Sequence, residues 1–190
     1  MNKTVRVLGA ALLAALLQIG FLAAMIEGRA SILRHGRDVL LEVEPIDPRD
    51  LLRGDYVRLG YSITTLDRAS IAGPGGSLER GTGLMVRLAP GDDGLWRAVG
   101  ARLADKPADA PDAGTVEIAG RVEADQGFSD TVRVTYGIER FYLPEGQGRA
   151  IERDLAVRPF RMLVAVADDG EAQIKAFFDG QERLFEEALY

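Results

Sequence analysis

A continuous apolar stretch opens the chain. Residues 5–26, VRVLGAALLAALLQIGFLAAMI, carry only Arg6 and Gln18 as strongly polar side chains. About 20 predominantly apolar residues are enough for a helix to cross the hydrocarbon core of a bilayer. The pattern therefore predicts a transmembrane helix, which we expect to continue through Leu33 and to end at Gly36.

Two alternatives compete with an uncleaved anchor. A cleaved signal peptide has a shorter apolar run of about 7–15 residues, followed by a small-x-small cleavage site. The nearest candidate, Gly28-Arg29-Ala30, lies beyond Glu27 and has an arginine at its centre. A helix buried in a soluble domain is the second alternative. We predict an uncleaved, single-pass anchor in the inner (cytoplasmic) membrane.

The basic residues on the two sides of the span nearly balance. Lys3 and Arg6 favour a cytoplasmic N-terminus by the positive-inside rule, whereas Arg29, Arg34 and Arg37 follow the span and oppose it. A large domain after a first apolar segment is usually translocated. We therefore expect the C-terminal domain to lie outside the cytoplasm.

After Gly36 the apolar run gives way to the two-residue alternation of β-strands. Strand-length runs bounded by Gly, Pro and Asp have the sequences DVLLEVEP, DYVRLGYSI, TGLMVRLAP, LWRAVGARL, TVEIAGRVEA, TVRVTYGIERFYLP, RMLVAVADDG and AQIKAFFDG. Asp-Asp-Gly at 92–94 and at 168–170 predicts two hairpins, because glycine supplies the positive φ of a tight turn. We expect short helices at 146–157 and 181–190.

These patterns predict a mainly β fold with short helices. One N-terminal transmembrane helix is followed by an antiparallel β domain of seven or more strands, barrel-like or sandwich-like. We divide the chain into residues 1–36, the anchor helix and its juxtamembrane neck, and residues 37–190, an extracytoplasmic β domain.

The stretch LLRGDYVRLGYSI, residues 51–63, joins a predicted helical turn to a strand. We interpret Arg53-Gly54-Asp55 as the exit of that turn, and not as an adhesion tripeptide, which is displayed on an exposed loop tip. Within the strand, one face carries Asp55, Val57, Leu59, Tyr61 and Ile63, and the other carries Tyr56, Arg58, Gly60 and Ser62. The first face is predicted to be core, so the Tyr61 hydroxyl needs a hydrogen-bond partner.

The segment PIDPRDLLRGDYVRLGYSI resembles the signature of the bacterial family named for its GDYxxLxY motif. Every defined position matches, namely Gly54, Asp55, Tyr56, Leu59 and Tyr61. A second stretch, YGIERFYLPEGQGRAIE at 136–152, resembles that family's Tyr-Gly-Ile-Glu and Pro-Glu-Gly segment. The resemblance covers residues 39–180 and implies a membrane-anchored protein that is often near or fused to polytopic membrane proteins. It implies no activity, because none is established for the family.

The second stretch adds four candidate site residues, which are Tyr136, Gly137, Glu139 and Glu145. Gly137 is expected to permit a β-bulge. Glu139 alternates with Phe141, and an acid on an apolar face is costly unless it is paired. The arginines available as partners are Arg58, Arg140 and Arg149.

Two classes of function remain open for these acids. Asp55, Tyr56, Glu139 and Glu145 could line one cleft, either as a carboxylate pair for hydrolysis of envelope glycan or as a small-ligand or metal sensor. Alternatively, they fix turns in a non-catalytic binding or accessory module, since structural acids also collect at strand ends. We favour the module, with the membrane and a polytopic membrane protein as its partners.

Composition narrows the chemistry further. The chain has no cysteine, which excludes disulfides and thiolate sites, and His35 is its single histidine, which excludes zinc sites of two or more imidazoles. The net charge of −6 argues against nucleic acid as the main partner. The sequence assigns no catalytic residue, no metal ligands and no cofactor.

Overall fold

The computed structural model describes residues 3–44, 56–73, 77–107, 112, 114–125, 129–142 and 158–187. These ranges contain a long helix, α1 (Lys3–His35), a 3-10 turn (Arg68–Ser70) and thirteen strands. The strands are β1 (Arg37–Glu44), β2 (Tyr56–Arg58), β3 (Gly60–Tyr61), β4 (Thr65–Asp67), β5 (Ile71–Ala72), β6 (Gly83–Pro90), β7 (Trp96–Leu103), β8 (Val116–Ala124), β9 (Thr131–Thr135), β10 (Arg140–Tyr142), β11 (Phe160–Val166), β12 (Ala172–Asp179) and β13 (Glu182–Glu186).

Helix α1 has two parts with different surroundings. Its stretch from Val7 onward is long and apolar enough to cross a membrane, and the most apolar part of that stretch is not buried by the β domain. Near its C-terminal end, Ala30, Ile32 and Leu33 are buried, and the helix packs against β11 and β12. The predicted end at Gly36 is confirmed, because the Gly36 N–H donates to the Ile32 carbonyl at 2.8 Å.

The strands form two large sheets and one small sheet. Of the strand pairings within the described residues, all but one are antiparallel. The five-stranded sheet has the order β13-β12-β11-β1-β3, and the six-stranded sheet has the order β4-β9-β8-β6-β7-β5, in which β5 and β7 are parallel. Strands β10 and β2 form a separate pair. Both large sheets contribute to a single hydrophobic core. The predicted mainly antiparallel, barrel-like β domain is therefore confirmed.

Both predicted hairpins are present, and the second also joins the two large sheets. Gly94 has φ of 77° between β6 and β7, and Gly170 has φ of 87° between β11 and β12. The Gly170 carbonyl accepts a hydrogen bond from the Ala119 N–H of β8 at 2.9 Å. The tip of the β11–β12 hairpin is thereby fixed to the opposite sheet.

Two segments predicted as single strands are each divided. DYVRLGYSI contains β2, which pairs with β10, and β3, which pairs with β1, and the chain changes sheets at Leu59. The second motif stretch is likewise divided between β9 and β10, and Gly137, with φ of 82°, forms a turn between them instead of a bulge. Both breaks occur because the two segments bond to each other across the core, as described below.

The predicted C-terminal helix at 181–190 is wrong. Residues Glu182–Glu186 form β13, which pairs with β12 after a reversal at Gly180, where φ is 58°. The open edge of β12 offers backbone groups that a strand satisfies, and Phe185 meets the Phe141 ring edge-on at 5.0 Å. The predicted helix at 146–157 and the turn that contains Arg53-Gly54-Asp55 lie outside the described residues.

Gly36 provides a test of how tightly α1 is joined to the domain. A Cβ added at Gly36 would lie 2.5 Å from the Ile32 carbonyl oxygen and 3.1 Å from the Val166 backbone nitrogen. We expect Gly36→Ala to lower the free energy of unfolding by about 1–3 kcal/mol, because neighbouring backbone must move. Denaturant titration of the full chain in detergent, followed by circular dichroism, measures this loss.

Gly28 is the matched control on the same helix. A Cβ at Gly28 has nothing within 4 Å. Gly28→Ala should therefore be neutral or should stabilise by up to about 1 kcal/mol through helix propensity. Equal effects of the two substitutions would contradict a close-packed joint at Gly36.

Candidate functional site

The described residues of the two motifs lie mostly in the core and not on an open surface. Leu59 and Tyr61 are 1% and 0% exposed, as the predicted core face requires, and Tyr136 of the second motif is 7% exposed. Gly137 is exposed at its turn and Glu139 is half-buried. The Tyr56 backbone lies in β2. Gly54, Asp55, Glu145 and the side chain of Tyr56 lie outside the described residues.

The two motifs exchange a pair of buried hydrogen bonds. The Tyr61 hydroxyl donates to the Ile138 carbonyl at 2.6 Å, and the Tyr136 hydroxyl donates to the Ile63 carbonyl, also at 2.6 Å. Each tyrosine thus binds the backbone two residues beyond the other tyrosine. We call this arrangement of Tyr61, Ile63, Tyr136 and Ile138 the tyrosine clasp.

Backbone hydrogen bonds flank the tyrosine clasp on both sides. The Leu59 N–H donates to the Glu139 carbonyl at 2.8 Å, and the Val134 N–H donates to the Thr64 carbonyl at 2.8 Å. The Tyr61 N–H is held by the Thr64 hydroxyl at 3.0 Å. The first motif is therefore bonded along its length to the second. This explains why the chain leaves one sheet at Leu59 and turns at Gly137.

The Glu139 carboxylate is engaged by backbone groups of its own turn. Of the arginines expected as its partners, the side chain of Arg58 and the whole of Arg149 lie outside the described residues. The carboxylate accepts hydrogen bonds from the Tyr136 N–H and from the Gly137 N–H, the latter at 2.9 Å. A carboxylate that accepts neighbouring backbone donors stabilises a turn. Glu139 thus holds the turn that presents the Ile138 carbonyl to Tyr61.

The environment of the tyrosine clasp keeps both phenols protonated. Burial raises the pKa of Tyr61 and of Tyr136 well above the ordinary value of 10.0, and the negative charge of Glu139 raises both further. A phenol in this environment serves as a neutral hydrogen-bond donor. It is not a poised general base, which would need a pKa near the working pH.

Two clefts border the turn that follows Tyr136. The first, the helix cleft, has a volume of about 550 Å³ and is lined by Ile26, Arg29, Ala30, Leu33, Gly137, Ile138, Arg140, Phe141, Ala172, Gln173, Ile174, Phe185 and Glu187. The second, the sheet cleft, has a volume of about 700 Å³ and is lined by Gly83, Leu84, Ala104, Ala119, Gly120, Arg121, Thr135, Tyr136, Gly137, Glu139 and Arg140. The tyrosine clasp belongs to the core and contributes one residue to each cleft, Ile138 to the helix cleft and Tyr136 to the sheet cleft.

The structure describes only some of the acids that the sequence analysis placed in one possible cleft. Of Asp55, Glu139 and Glu145, the described ranges include Glu139 alone. Within those ranges, Glu139 is the one carboxylate lining the sheet cleft, and no group of three His, Asp or Glu side chains is arranged to hold a metal ion.

Two structural residues were missed by the sequence interpretation. Gly120 lies in the middle of β8, where an added Cβ would be 2.5 Å from Val134 Cγ1 and 3.0 Å from the Tyr136 ring. Glycine inside a strand pattern signals close approach of another group, so TVEIAGRVEA carried a usable signal. Asp125, whose side chain is fully buried, accepts two hydrogen bonds from the Arg68 guanidinium. These two residues lie 57 positions apart, and no local pattern connects them.

The tyrosine clasp predicts a pH-dependent effect of removing either hydroxyl. At pH 7, Tyr61→Phe and Tyr136→Phe should each lower the free energy of unfolding by about 1–3 kcal/mol, because a buried carbonyl loses its donor. Both folded-state pKa values are raised, so the wild type loses stability once the unfolded tyrosines ionise above pH 10. That loss is about 1.4 kcal/mol per pH unit per tyrosine. Each Phe variant should therefore approach the wild type in stability near pH 11, as measured by denaturant titration.

Ser70→Ala serves as the control for loss of a hydroxyl. The Ser70 hydroxyl donates to the Asp67 carbonyl at 2.6 Å, the same distance as in the tyrosine clasp, but this bond is exposed. Water replaces an exposed donor, so we expect a change within about 0.5 kcal/mol and no alkaline convergence. Tyrosine variants that behave like Ser70→Ala would contradict a structural role for the clasp.

Comparison with known proteins agrees with the motif resemblance. A family model described as GDYXXLXY protein matches residues 18–177, which include both motifs and most of the β domain. No curated protein matches the chain, and no solved structure does. The match covers well over half of the sequence, so the chain belongs to the GDYXXLXY family.

Proposed function

We propose that this chain is a membrane-anchored, non-catalytic binding or accessory module for a polytopic membrane protein. The observation that carries the proposal is the joint between α1 and the β domain. A helix with an unburied stretch of membrane-spanning length continues directly into the main sheet. Such a helix suits a domain that is held at a fixed position over a membrane partner.

The joint contains no flexible linker. A single residue, Gly36, separates the end of α1 from the start of β1. Arg29 on the helix donates to the Gln173 side chain of β12 at 3.0 Å, and Lys175 of β12 pairs with Asp38 of β1 at 2.8 Å. The Arg29–Gln173 bond and the buried helix residues fix the direction of the helix relative to the sheet, and the Lys175–Asp38 pair braces the strands on which the helix packs. Movement of the helix in the membrane would be passed on to the domain.

The surface of the unburied stretch suits close helix packing. Gly9, Ala10, Ala14 and Ala15 are exposed small residues, and they lie within the apolar part of α1. Small side chains let transmembrane helices approach closely, where packing takes over from the hydrophobic effect. The proposed contact with the partner therefore lies at this stretch of α1, with the β domain above it.

The chemistry of the motifs supports a module in preference to an enzyme. The hydroxyls of Tyr61 and Tyr136 and the carboxylate of Glu139 are engaged with backbone groups of the same domain. A glycan hydrolase would need a second carboxylate at a defined distance from the first. A ligand or metal sensor would need several converging acids. Nothing in the described residues favours either alternative over the module.

The proposed location is the inner (cytoplasmic) membrane, with the β domain outside the cytoplasm. Lys3 and Arg6 favour this orientation and Arg29, Arg34 and Arg37 oppose it, so the basic residues nearly balance. The proposal follows from the large domain after a first apolar segment, because such a domain is usually translocated. The carboxylates of the acidic chain would keep the domain from adhering to anionic headgroups in general. The direction of the β domain over the membrane surface would therefore depend on the helix and on its rigid joint with the sheet.

The partner model predicts an effect of enlarging one face of α1. Ala10→Leu combined with Ala14→Leu should reduce recovery of a polytopic membrane protein with the chain, purified from its native membrane, by about tenfold. Extra methylene groups in a well-packed contact cost roughly 1–3 kcal/mol, and about 1.4 kcal/mol corresponds to a factor of ten. Quantitative mass spectrometry after mild crosslinking measures the recovery.

Ala23→Leu is the matched control. Ala23 lies about 220° around the helix from Ala10, at 100° per residue, and therefore faces away from the proposed contact. Ala23→Leu should leave recovery of the partner unchanged, and all variants should retain the unfolding midpoint of the β domain. If the wild-type chain is recovered without any polytopic protein, the partner model fails and a free-standing tethered domain remains.

A further inference from the structure

The helix cleft connects the anchor to the β domain. Ile26, Arg29, Ala30 and Leu33 follow the i, i+3, i+4, i+7 spacing that places residues on one face of a helix, and all four line the cleft. Ile26 belongs to the apolar run, whereas Leu33 is buried in the domain joint. The cleft wall therefore extends from the stretch proposed to lie in the bilayer up to the sheet.

The remaining walls combine apolar surface with cationic side chains. Ile138, Phe141, Ile174 and Phe185 provide apolar surface from the turn after Tyr136, from β10, β12 and β13. Arg29 and Arg140 contribute positive charge, and Glu187 is the acidic side chain among the described lining residues. The described lining therefore contains two basic side chains and one acidic side chain, in a chain whose net charge is −6. The cleft volume of about 550 Å³ is that of a small-ligand pocket, which typically measures about 300–1,000 Å³.

Arg29 is placed to bind a phosphate group. One of its terminal nitrogens donates to the Gln173 side chain at 3.0 Å, which orients the guanidinium at the cleft wall. A guanidinium has five N–H donors in a planar fork that matches phosphate oxygens, so this bond leaves further donors for a ligand. Arg140, at the start of β10, also lines the cleft and adds a second basic side chain.

We propose that the helix cleft binds an anionic phospholipid of the surrounding bilayer. The headgroup phosphate lies at Arg29 and Arg140, and the first part of an acyl chain lies against Ile26 and the apolar walls. Charge complementarity selects the anionic headgroup. Because the wall of the cleft continues along the anchor helix, the ligand would come from the bilayer around that helix. This inference rests on the proposed membrane anchoring and adds a lipid ligand to it.

Native mass spectrometry of the full chain, released from nanodiscs, tests the proposal. The nanodiscs contain phosphatidylcholine alone or with phosphatidylglycerol as the probe. We expect retention of phosphatidylglycerol on the wild-type chain, and an apparent affinity about tenfold weaker for Arg29→Gln, because a charge-assisted bidentate contact is lost. Arg140→Gln should weaken binding in the same direction.

Arg34→Gln is the matched control for removal of positive charge. Arg34 lies on the same helix, forms an ion pair with Glu27 and does not line the cleft. It should retain wild-type affinity. Equal losses in Arg29→Gln and Arg34→Gln would indicate general attraction to an anionic surface and would overturn a defined site. If the wild-type chain retains phosphatidylcholine as well as phosphatidylglycerol, the anionic-lipid assignment is overturned. Displacement of the lipid by millimolar inorganic phosphate would overturn it as well.

Whether the chain enters a nanodisc distinguishes failure of the lipid site from failure of the proposed membrane anchoring. A wild-type chain that does not enter phosphatidylcholine nanodiscs would overturn membrane anchoring, and the lipid site with it. A chain that enters them but releases phosphatidylglycerol as readily as phosphatidylcholine would overturn the lipid site alone. Circular dichroism of each variant, compared with the wild type, establishes that the substituted chains are folded.

Discussion

Two tyrosine hydroxyls in the core of this domain must each find a partner, because a buried polar group without a hydrogen bond is strongly unfavourable. The tyrosine clasp satisfies both by a reciprocal exchange, in which each hydroxyl binds the backbone beside the other tyrosine. The exchange brings residues 61–63 and 136–138 together across more than seventy positions of sequence. The breaks between strands at Leu59 and at Gly137 follow from it, as does the turn held by the Glu139 carboxylate.

Local patterns in the sequence predicted the features that depend on local chemistry. The end of α1 at Gly36, both Asp-Asp-Gly hairpins, the buried face of Leu59 and Tyr61 and the need for a Tyr61 partner all follow from spacing and residue type. The divided strands did not follow, because each is decided by a partner segment far away in the chain. Strand β13 pairs with its sequence neighbour β12, but the contact of Phe185 with the distant Phe141 has no local signal. The hydrogen bond between Tyr136 and the first motif is likewise nonlocal and was found only in the folded structure. The backbone bonds of the Glu139 carboxylate are local, but the sequence interpretation expected an arginine as its partner.

The motif that identifies the family is therefore, in its described residues, a signature of the fold. The hydroxyls of Tyr61 and Tyr136 and the carboxylate of Glu139 are used inside the domain, so we seek the functional surfaces elsewhere on the molecule. The surfaces that we propose are the joint at Gly36 and the helix cleft, and both lie where the domain meets the apolar helix. The proposed roles in partner contact and lipid binding share this physical basis: a stiff connection between a membrane-length helix and a sheet.

Native-state hydrogen exchange in the full chain tests the central role of the tyrosine clasp most directly. The Leu59 and Val134 amides donate across the two motifs, to Glu139 and Thr64 respectively. If the clasp holds the fold together, both amides will exchange as slowly as the most protected amides of β11, through global unfolding alone. Exchange of Leu59 and Val134 by local opening, while β11 remains protected, would contradict the account.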